Sequence, residues 1–171
     1  NTTADVLKTL PPAFDAEGTV TAGTSSPLTD GAAAVFVCSD AYAAKKGLKV
    51  LARVKSIAVA GCAPEVMGIG PVAATKKALA RAGLAMKDID LVELNEAFAA
   101  QVLACVKELG IDRAKLNVDG GAIALGHPLG ASGARITGKA AALLKREGKR
   151  YALATLCVGG GQGMATIREA A

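Results

Sequence analysis

Three side chains of this sequence could serve acid–base chemistry, His127 and Cys157 by moving a proton and Asn95 by orienting a water or an oxygen atom, and each follows an apolar run or lies among glycines. The only histidine, His127, lies in a Gly-His-Pro loop that five glycines surround. Asn95 follows the apolar run 91–94, and Cys157 ends a second apolar run shortly before three glycines. An imidazole accepts and returns a proton near neutral pH, and a thiol does so where its surroundings lower its pKa. Because glycine leaves backbone N–H groups open to a ligand, the pattern predicts acid–base chemistry beside an oxyanion-binding loop.

Residues that could have a chemical role in this sequence can also have an ordinary structural interpretation. A single histidine in a glycine-rich loop can be a hydrogen-bonded polar group with no chemical role. Ser26 lies in a stretch rich in Thr, Ser and Gly, where a serine commonly bonds its own backbone. Cys105 falls on the apolar face of a predicted helix, which indicates a core position. The residue types alone therefore leave a catalytic and a structural reading open.

The elements that must position these residues alternate between apolar strands and amphipathic helices. Five strands are predicted from apolar or alternating runs, at residues 32–38, 51–60, 88–94, 151–158 and 164–168. Helices are predicted at residues 40–47, 71–82, 96–109 and about 132–146. Ser39-Asp40 offers an N-cap for the first, which should end near Gly47, and Gly83 and Gly148 are the predicted C-caps of the second and fourth. This order indicates an α/β class, with a layered domain built on a mixed five-stranded sheet. Residues 1–30 are interpreted as the end of a loop region that leads into the core.

Composition narrows the class of protein. The 171 residues are 51% hydrophobic and 3% aromatic, which argues against disorder and for a core of aliphatic side chains. The net charge is +5, from 20 basic and 15 acidic residues, and an excess of this size favours a polyanionic ligand. The basic residues lie in pairs without aromatic neighbours, which makes a nucleic acid the weaker alternative. With four cysteines, no Cys-x-x-Cys pair and a single histidine, the sequence does not predict a zinc site.

Segments that would direct the chain to a membrane or out of the cell are not predicted. No apolar run is long enough to span a bilayer, and the first residues lack the pattern of a secretory signal. Unpaired cysteines then predict a reducing compartment, taken as cytoplasmic, with the mitochondrial matrix and the peroxisome as alternatives. The first residue is Asn1, so we expect a processed or excised fragment.

Four motifs together resemble the C-terminal half of thiolases. They are Asn-Glu-Ala-Phe at 95–98, Gly-His-Pro-x-Gly-x-Ser-Gly at 126–133, Cys-x-Gly-Gly-Gly-Gln-Gly at 157–163, and Thr-Ala-Gly-Thr-Ser-Ser at 21–26 followed by Asp-Gly-Ala-Ala-Ala at 30–34. Their order and spacing match the family along essentially the whole chain. The resemblance implies a thiolase-like layered fold with helices on both faces of the sheet, and residues 31–171 as the thiolase C-terminal domain.

The resemblance also implies a role for each matching residue. His127 would activate a nucleophilic cysteine and help to bind the thioester oxygen, and Cys157 would exchange a proton with the α carbon of acetyl-CoA. Asn95 would hold a water in the first oxyanion hole, and the backbone of Gly159 would contribute to the second. Ser26 would contact the pantetheine arm. Coenzyme A would be a substrate, and neither a permanently bound cofactor nor a metal is implied.

The chain departs from the family in two respects. The acyl-carrying cysteine of thiolases lies in the N-terminal half, which we expect to be missing, so this chain alone should be inactive and should need that half as a partner. Asp119 stands where the family usually has a second Asn, which would place a charge close to the catalytic loop. Because the two halves of the family pack together, we expect exposed Ala-rich faces at 97–100 or 140–144. A homo-oligomer is also expected.

We interpret the chain as the C-terminal catalytic half of a degradative 3-ketoacyl-CoA thiolase, which uses CoA in fatty-acid β-oxidation to release acetyl-CoA and a shortened acyl-CoA. One alternative is an acetoacetyl-CoA thiolase of the biosynthetic type, which the glycine-rich turn also suits. A second is a non-catalytic thiolase-like module that binds CoA or lipid or serves as an assembly interface. A β-ketoacyl synthase shares the fold but lacks the late cysteine, so Cys157 argues against it.

Overall fold

The computed structural model describes residues 2–171 and consists of helices packed on a single sheet. The helices are α1 (Ala4–Lys8), α2 (Asp40–Lys46), α3 (Gly70–Ala82), α4 (Ala99–Leu109), α5 (Ala122–Leu125) and α6 (Leu129–Glu147). The strands are β1 (Ala52–Gly61), β2 (Leu91–Leu94), β3 (Tyr151–Val158) and β4 (Gln162–Ala170). Short 3-10 helices lie at Ala22–Thr24, Pro64–Ile69, Met86–Asp88 and Arg113–Lys115. Over these described residues, no helix has the length and apolarity to cross a membrane.

The sheet is mixed and its strand order is β1-β4-β3-β2. β4 lies between β1 and β3 and runs antiparallel to both, while β2 runs parallel to β3. The carboxyl ends of β2 and β3 therefore meet at one edge of the sheet. At that edge Leu94 pairs with Thr155, and two residues further along β3 Cys157 pairs with Gly163. This register brings the segment after Leu94 next to the end of β3.

Helices cover both faces of the sheet, as the resemblance implies. On one face α3 and α4 contribute Ala74, Ala78, Leu79, Val102, Cys105 and Leu109 to a core with Val92, Leu153 and Ile167. On the other face α6 contributes Ile136, Ala140, Leu143 and Leu144 to a core with Leu91, Ala152 and Ala154. Each fully buried Leu or Ile stabilises the fold by about 1.5–3 kcal/mol. The expectation that 140–144 forms an exposed face is wrong, because Ala140, Leu143 and Leu144 lie against the sheet.

The sheet has four strands rather than the predicted five, because residues 32–38 form no strand. An apolar run predicts burial, yet Phe36 is 74% exposed and Val37 is 69% exposed. A strand exists only where a neighbouring backbone accepts and donates its ladder hydrogen bonds. Among residues 2–171 none pairs with this run, and it crosses the surface in an irregular conformation.

Local capping signals predicted the helix ends well. Ser39 caps α2 by accepting a hydrogen bond from the backbone N–H of Tyr42 at 3.2 Å, and Gly47 ends that helix in the left-handed conformation. Gly148 ends α6 in the same way, as predicted. The start of α6 differs from the prediction, since the helix begins at Leu129 directly after Pro128. Its first turn therefore follows immediately on the histidine loop.

Candidate active site

His127 lies between α5 and α6 and is held through both ring nitrogens. Its Nδ1 lies 2.6 Å from Oγ of Ser132, one turn into α6. The Ser132 hydroxyl donates its single hydrogen to the carbonyl of Pro128 at 3.1 Å, so its oxygen accepts from Nδ1–H. On the other side of the ring, Nε2 lies 3.2 Å from Nδ2 of Asn95, which can only donate. The arrangement therefore places the proton on Nδ1 and an electron pair on Nε2, which accepts the hydrogen bond from Asn95.

The surroundings of His127 favour the neutral ring. Burial, and then the positive charge of Arg135, lower the pKa of His127 below its ordinary value of 6.5. A neutral imidazole with its lone pair on Nε2 is the form that removes a proton from a thiol. The backbone N–H of His127 donates to Oγ1 of Thr29 at 3.2 Å, so the segment that contains Ser26 also reaches this loop.

Asn95 is almost completely buried at the carboxyl end of β2, with 1% of its surface exposed. Its backbone N–H donates to the carbonyl of Thr155 at 3.0 Å, which continues the pairing of β2 with β3. The amide nitrogen faces His127, and the amide oxygen Oδ1 is buried without a hydrogen-bond partner among the described residues. A buried acceptor of this kind can orient a water or another donor beside the imidazole.

Cys157 lies at the end of β3 and only 8% of its surface is exposed. Burial raises the pKa of the Cys157 thiol, so the group is protonated at neutral pH. The sequence argument required a lowered pKa for acid–base work, and the structure shows the opposite shift. Such a thiol starts as a proton donor rather than as a thiolate. No hydrogen bond joins Cys157 to His127 or Asn95 within residues 2–171, although Asn95 bonds to Thr155 two positions earlier.

Gly159 lies in the exposed turn that joins β3 to β4. A Cβ at Gly159 would meet nothing within 4 Å, so its backbone is open to a ligand. Gly160 and Gly161 have φ of 85° and 93°, which requires glycine at this turn. The carbonyl of Gly161 accepts from the backbone N–H of Cys62 at 2.8 Å, and this bond anchors the turn to the end of β1.

Ser26 lies beside the Asn-Glu-Ala-Phe segment and is bound to it. Both its hydroxyl and its backbone N–H donate to the carbonyl of Ala97, at 3.3 and 3.0 Å. Ser25 and Phe98 form an isolated antiparallel bridge next to this pair. The predicted substrate-binding serine thus lies near Asn95 in space, although 71 residues separate Ser26 from Ala97.

Four further side chains hold the site together and were not singled out from the sequence. They are Thr29, Glu96, Asn117 and Ser132. Glu96 lies within the Asn-Glu-Ala-Phe motif and Ser132 lies within the histidine motif, so both belonged to recognised signals. Asn117 is the first Asn of the family pattern in which Asp119 replaces the second, but its left-handed backbone, with φ of 44°, becomes evident only in the structure.

Asp119 is paired with the helix that follows the histidine loop. Its carboxylate accepts from both terminal nitrogens of Arg146, at 2.7 and 2.8 Å, and also contacts Lys139. These two cations hold the pKa of Asp119 well below its usual range. The charge that the sequence placed close to the catalytic loop is therefore neutralised by α6.

Glu93 is a second carboxylate near the site, two residues before Asn95, and 2% of its surface is exposed. Burial raises the pKa of Glu93 to about 7, although the positive charges of Arg135 and Lys139 act in the opposite direction. Its Oε1 and the Nε of Arg135 are both buried without a hydrogen-bond partner in the described part of the chain. The site therefore adjoins a carboxyl group that titrates near neutral pH.

Comparisons with known proteins match this chain to one family. The family model described as "Thiolase, C-terminal domain" matches residues 48–170, and "Thiolase, N-terminal domain" matches residues 1–41. Ser26 thus lies in the part that resembles the N-terminal domain. The chain is 58% identical to a 3-ketoacyl-CoA thiolase of Citrobacter koseri and 57% identical to one of Vibrio parahaemolyticus. Each comparison covers 98% of this chain and 44% of the relative, so the chain spans less than half of their length.

Solved structures agree with this assignment. The human mitochondrial 3-ketoacyl-CoA thiolase in complex with CoA superposes with a TM-score of 0.93 at 47% identity. An acetyl-CoA acetyltransferase of Bacillus anthracis superposes with a TM-score of 0.96 at 50% identity. Both comparisons cover 99% of this chain and 43% of the solved chain. The predicted layered α/β fold is thereby confirmed, with four strands in place of five.

Proposed function

The chain belongs to the thiolase family, and on that premise we propose that it forms the C-terminal catalytic part of a 3-ketoacyl-CoA thiolase. The reaction is acyl transfer, in which CoA cleaves a 3-ketoacyl-CoA into acetyl-CoA and an acyl-CoA shortened by two carbons. The observation that carries the proposal is the contact between Asn95 and the lone-pair nitrogen of His127, next to the end of β3, where Cys157 lies. Relatives at 57–58% identity that are named 3-ketoacyl-CoA thiolase support the degradative type.

In the first half of the reaction, His127 prepares the nucleophile. Its Nε2 accepts the proton of a cysteine thiol, which the family supplies from the N-terminal half. The thiolate attacks the 3-keto carbon, and the developing oxyanion is stabilised by His127 Nε2–H together with a donor that Asn95 orients. The bond between carbons 2 and 3 then breaks, which leaves the acyl group on the cysteine and the electron pair on carbon 2.

Cys157 completes this half by donating its proton to carbon 2, which yields acetyl-CoA. Its buried and protonated thiol suits the role of an acid, and the open backbone at Gly159 supplies an N–H to the thioester oxygen of the enolate. In the second half, the Cys157 thiolate takes the thiol proton of free CoA, and the resulting CoA thiolate attacks the acyl-enzyme. The nucleophilic cysteine leaves as a thiolate and takes back the proton that His127 holds from the first half.

Partners and location complete the proposal. We propose that Ser26 lines the path of the pantetheine arm and that CoA acts as a substrate, with no permanently bound cofactor or metal. The N-terminal half of a thiolase is the partner that completes the site, and the complete protein forms a homo-oligomer. The four free cysteines support a reducing compartment, which we take as the cytoplasm.

The test is performed on the longer protein that contains this chain. We expect Cys157→Ala to abolish exchange of the α protons of acetyl-CoA with solvent while acyl loading continues. In His127→Ala the rate of acyl loading should fall by a factor of about 10²–10⁴. This rate is measured as the burst of free CoA from acetoacetyl-CoA. Glu108→Gln, on the exposed side of α4, serves as the control. Normal proton exchange in the cysteine variant, or normal loading in the histidine variant, would contradict the assigned roles.

A second candidate function is supported by the Bacillus anthracis structure, which is named an acetyl-CoA acetyltransferase. An enzyme of that kind would favour acetoacetyl-CoA and would also condense two acetyl-CoA molecules. Measuring kcat/KM for 3-ketoacyl-CoA substrates of increasing chain length separates the two. Activity that falls sharply beyond four carbons would favour this biosynthetic type. A protein that binds CoA without turnover would point to the non-catalytic module.

A further inference from the structure

Glu96 directly follows Asn95, and its carboxylate is held by two hydrogen-bond donors of the segment 117–123, more than twenty residues further along the chain. Oε1 accepts from Nδ2 of Asn117 at 2.7 Å. Oε2 accepts from the backbone N–H of Ile123, in the first turn of α5, at 3.1 Å. One carboxylate therefore connects the segment that holds Asn95 to the loop that leads to His127.

Asn117 gives this connection a rigid base at the edge of the sheet. Its side-chain oxygen accepts from the backbone N–H of Leu94 at 3.0 Å, and its amide nitrogen donates to the carbonyl of Leu94 at 2.9 Å. Its own backbone N–H donates to the carbonyl of Val92 at 2.8 Å. The side chain thus takes the place of a neighbouring strand beside the last residue of β2. Because Asn tolerates the left-handed backbone that this requires, few other residues can replace it.

The other end of the connection lies against glycine. A Cβ at Gly121 would collide with the carboxylate of Glu96, so this position must be small. Gly121 precedes α5, whose four residues are followed by Gly126 and then by His127. The carboxylate, on the residue directly after Asn95, consequently contacts the short element that places the imidazole.

We propose that Glu96 is a positioning residue whose carboxylate sets the separation of the Asn95 amide and the His127 Nε2, with Asn117 as its base. Glu96 acts through Asn95 and His127 and has no contact with reacting atoms. The role concerns the same site as the proposed function, and its kinetic consequence rests on that function. Its structural consequence, the contact at 3.2 Å between the two side chains, does not.

A carboxylate is required because both of its partners are donors. An amide at this position has one acceptor oxygen and one NH2 group, so one of the two contacts would become donor against donor. Glu96→Gln keeps the shape of the side chain and removes only this complementarity. Glu96→Asp keeps the charge but shortens the side chain, so that it reaches only one of its two partners.

The direct test is nitrogen-15 NMR on labelled histidine in the protein that contains this chain, with the His127 signals identified by their loss in His127→Asn. In the wild type we expect a protonated Nδ1 and an unprotonated Nε2 that accepts a hydrogen bond. In Glu96→Gln the Nε2 resonance should move while Nδ1 remains unchanged, because only the Asn95 contact is altered.

Kinetics provide the second arm, which depends on the proposed function. Displacement of about 1 Å at a reacting group costs up to about 10²-fold in rate. We therefore expect kcat of Glu96→Gln to fall by about 10- to 100-fold with little change in KM. Glu108→Gln, the matched control on the exposed side of α4, should change neither the NMR signals nor kcat.

The outcomes separate the two proposals. If the longer protein has no thiolase activity but Nε2 moves as described, the positioning role stands and the proposed function fails. Unchanged His127 signals in folded Glu96→Gln and Glu96→Asp would overturn the positioning role, whatever the activity. The role is also overturned if neither variant folds, because Glu96 would then serve stability alone.

Discussion

At the scale of single residues, burial controls the protonation of the site. It lowers the pKa of His127, raises that of Cys157, and raises that of Glu93 to about 7. All three shifts favour the neutral form of the side chain. A neutral imidazole is a base and a neutral thiol is an acid. The protein thus obtains a base and an acid at neutral pH from the low polarity of their surroundings.

Glu93 should make the stability of the protein depend on pH. Its pKa is about 7 in the folded protein against an ordinary value of 4.5, so the folded state retains the proton over that interval. Its contribution to the free energy of unfolding is therefore greatest below pH 4.5 and is lost as the pH rises to about 7. We expect Glu93→Gln to be more stable than the wild type at pH 8, by up to about 3 kcal/mol.

Urea unfolding at pH 5 and pH 8 measures this effect, with Glu108→Gln as the exposed control. The gain of Glu93→Gln over the wild type should be small at pH 5 and large at pH 8. An equal change at both pH values would show that the substitution acts through packing instead of through ionisation.

At the scale of elements, the histidine loop is held between the sheet and α6. Asn117 and Glu96 bind it to the end of β2, and Ser132 binds the imidazole to the first turn of α6. Asp119 adds a third connection, since Arg146 and Lys139 lie on the following turns of the same helix. The loop is therefore fixed relative to two elements that pack on each other.

We expect Asp119→Asn to lower the melting temperature, although Asn is the residue that the family usually has here. The variant loses the paired hydrogen bonds from Arg146 and the attraction of Lys139. Because these cations hold the pKa of Asp119 below its ordinary 3.8, the difference from the wild type should be present above that pH and shrink below it. Calorimetry over this pH range measures it.

Asp5→Asn provides the comparison, because Asp5 pairs with Lys8 on the exposed surface of α1 and should contribute little. Added salt should also reduce the difference between wild type and Asp119→Asn. An Asp119→Asn protein that melts with the wild type at neutral pH and low salt would refute the stabilising role of this pair.

At the scale of the whole molecule, a group of large apolar side chains remains on the surface. Phe36 is 74% exposed and Leu129 is 81% exposed, and Val37 lies beside Phe36. Exposed apolar surfaces of this kind commonly mark an interface or cause aggregation. They lie on residues 32–38 and at the start of α6, close to the candidate site in the chain.

We therefore expect residues 1–171, purified alone, to self-associate and to show no thiolysis of acetoacetyl-CoA. The apolar surface drives association, and none of the four cysteines is hydrogen-bonded to His127 in the described structure. Light scattering and a thiolysis assay measure the two outcomes. Phe36→Ser together with Leu129→Ser should reduce the association. A well-behaved monomer with real turnover would contradict both expectations.

The sequence by itself determined the local features of this protein. Capping residues and glycines predicted where α2, α3 and α6 end, and apolar periodicity predicted the strands that became β1 to β4. The motifs around Asn95 and His127 predicted two side chains that prove to be in contact, across 32 residues of chain. These features follow from backbone preferences and from motif spacing, both of which are written in neighbouring residues. The boundary proposed between residues 30 and 31 remains a prediction.

Only the tertiary structure decided which groups meet and how they ionise. It left the apolar run 32–38 exposed and paired Asp119 with α6. It also raised the pKa of Cys157, whereas the sequence argument required a lowered pKa. It also revealed Glu96 and Asn117 as the connection between two loops. Each of these outcomes depends on partners far away in the chain and on the exclusion of water around them. A local pattern cannot specify either, because both arise only when the sheet and helices pack.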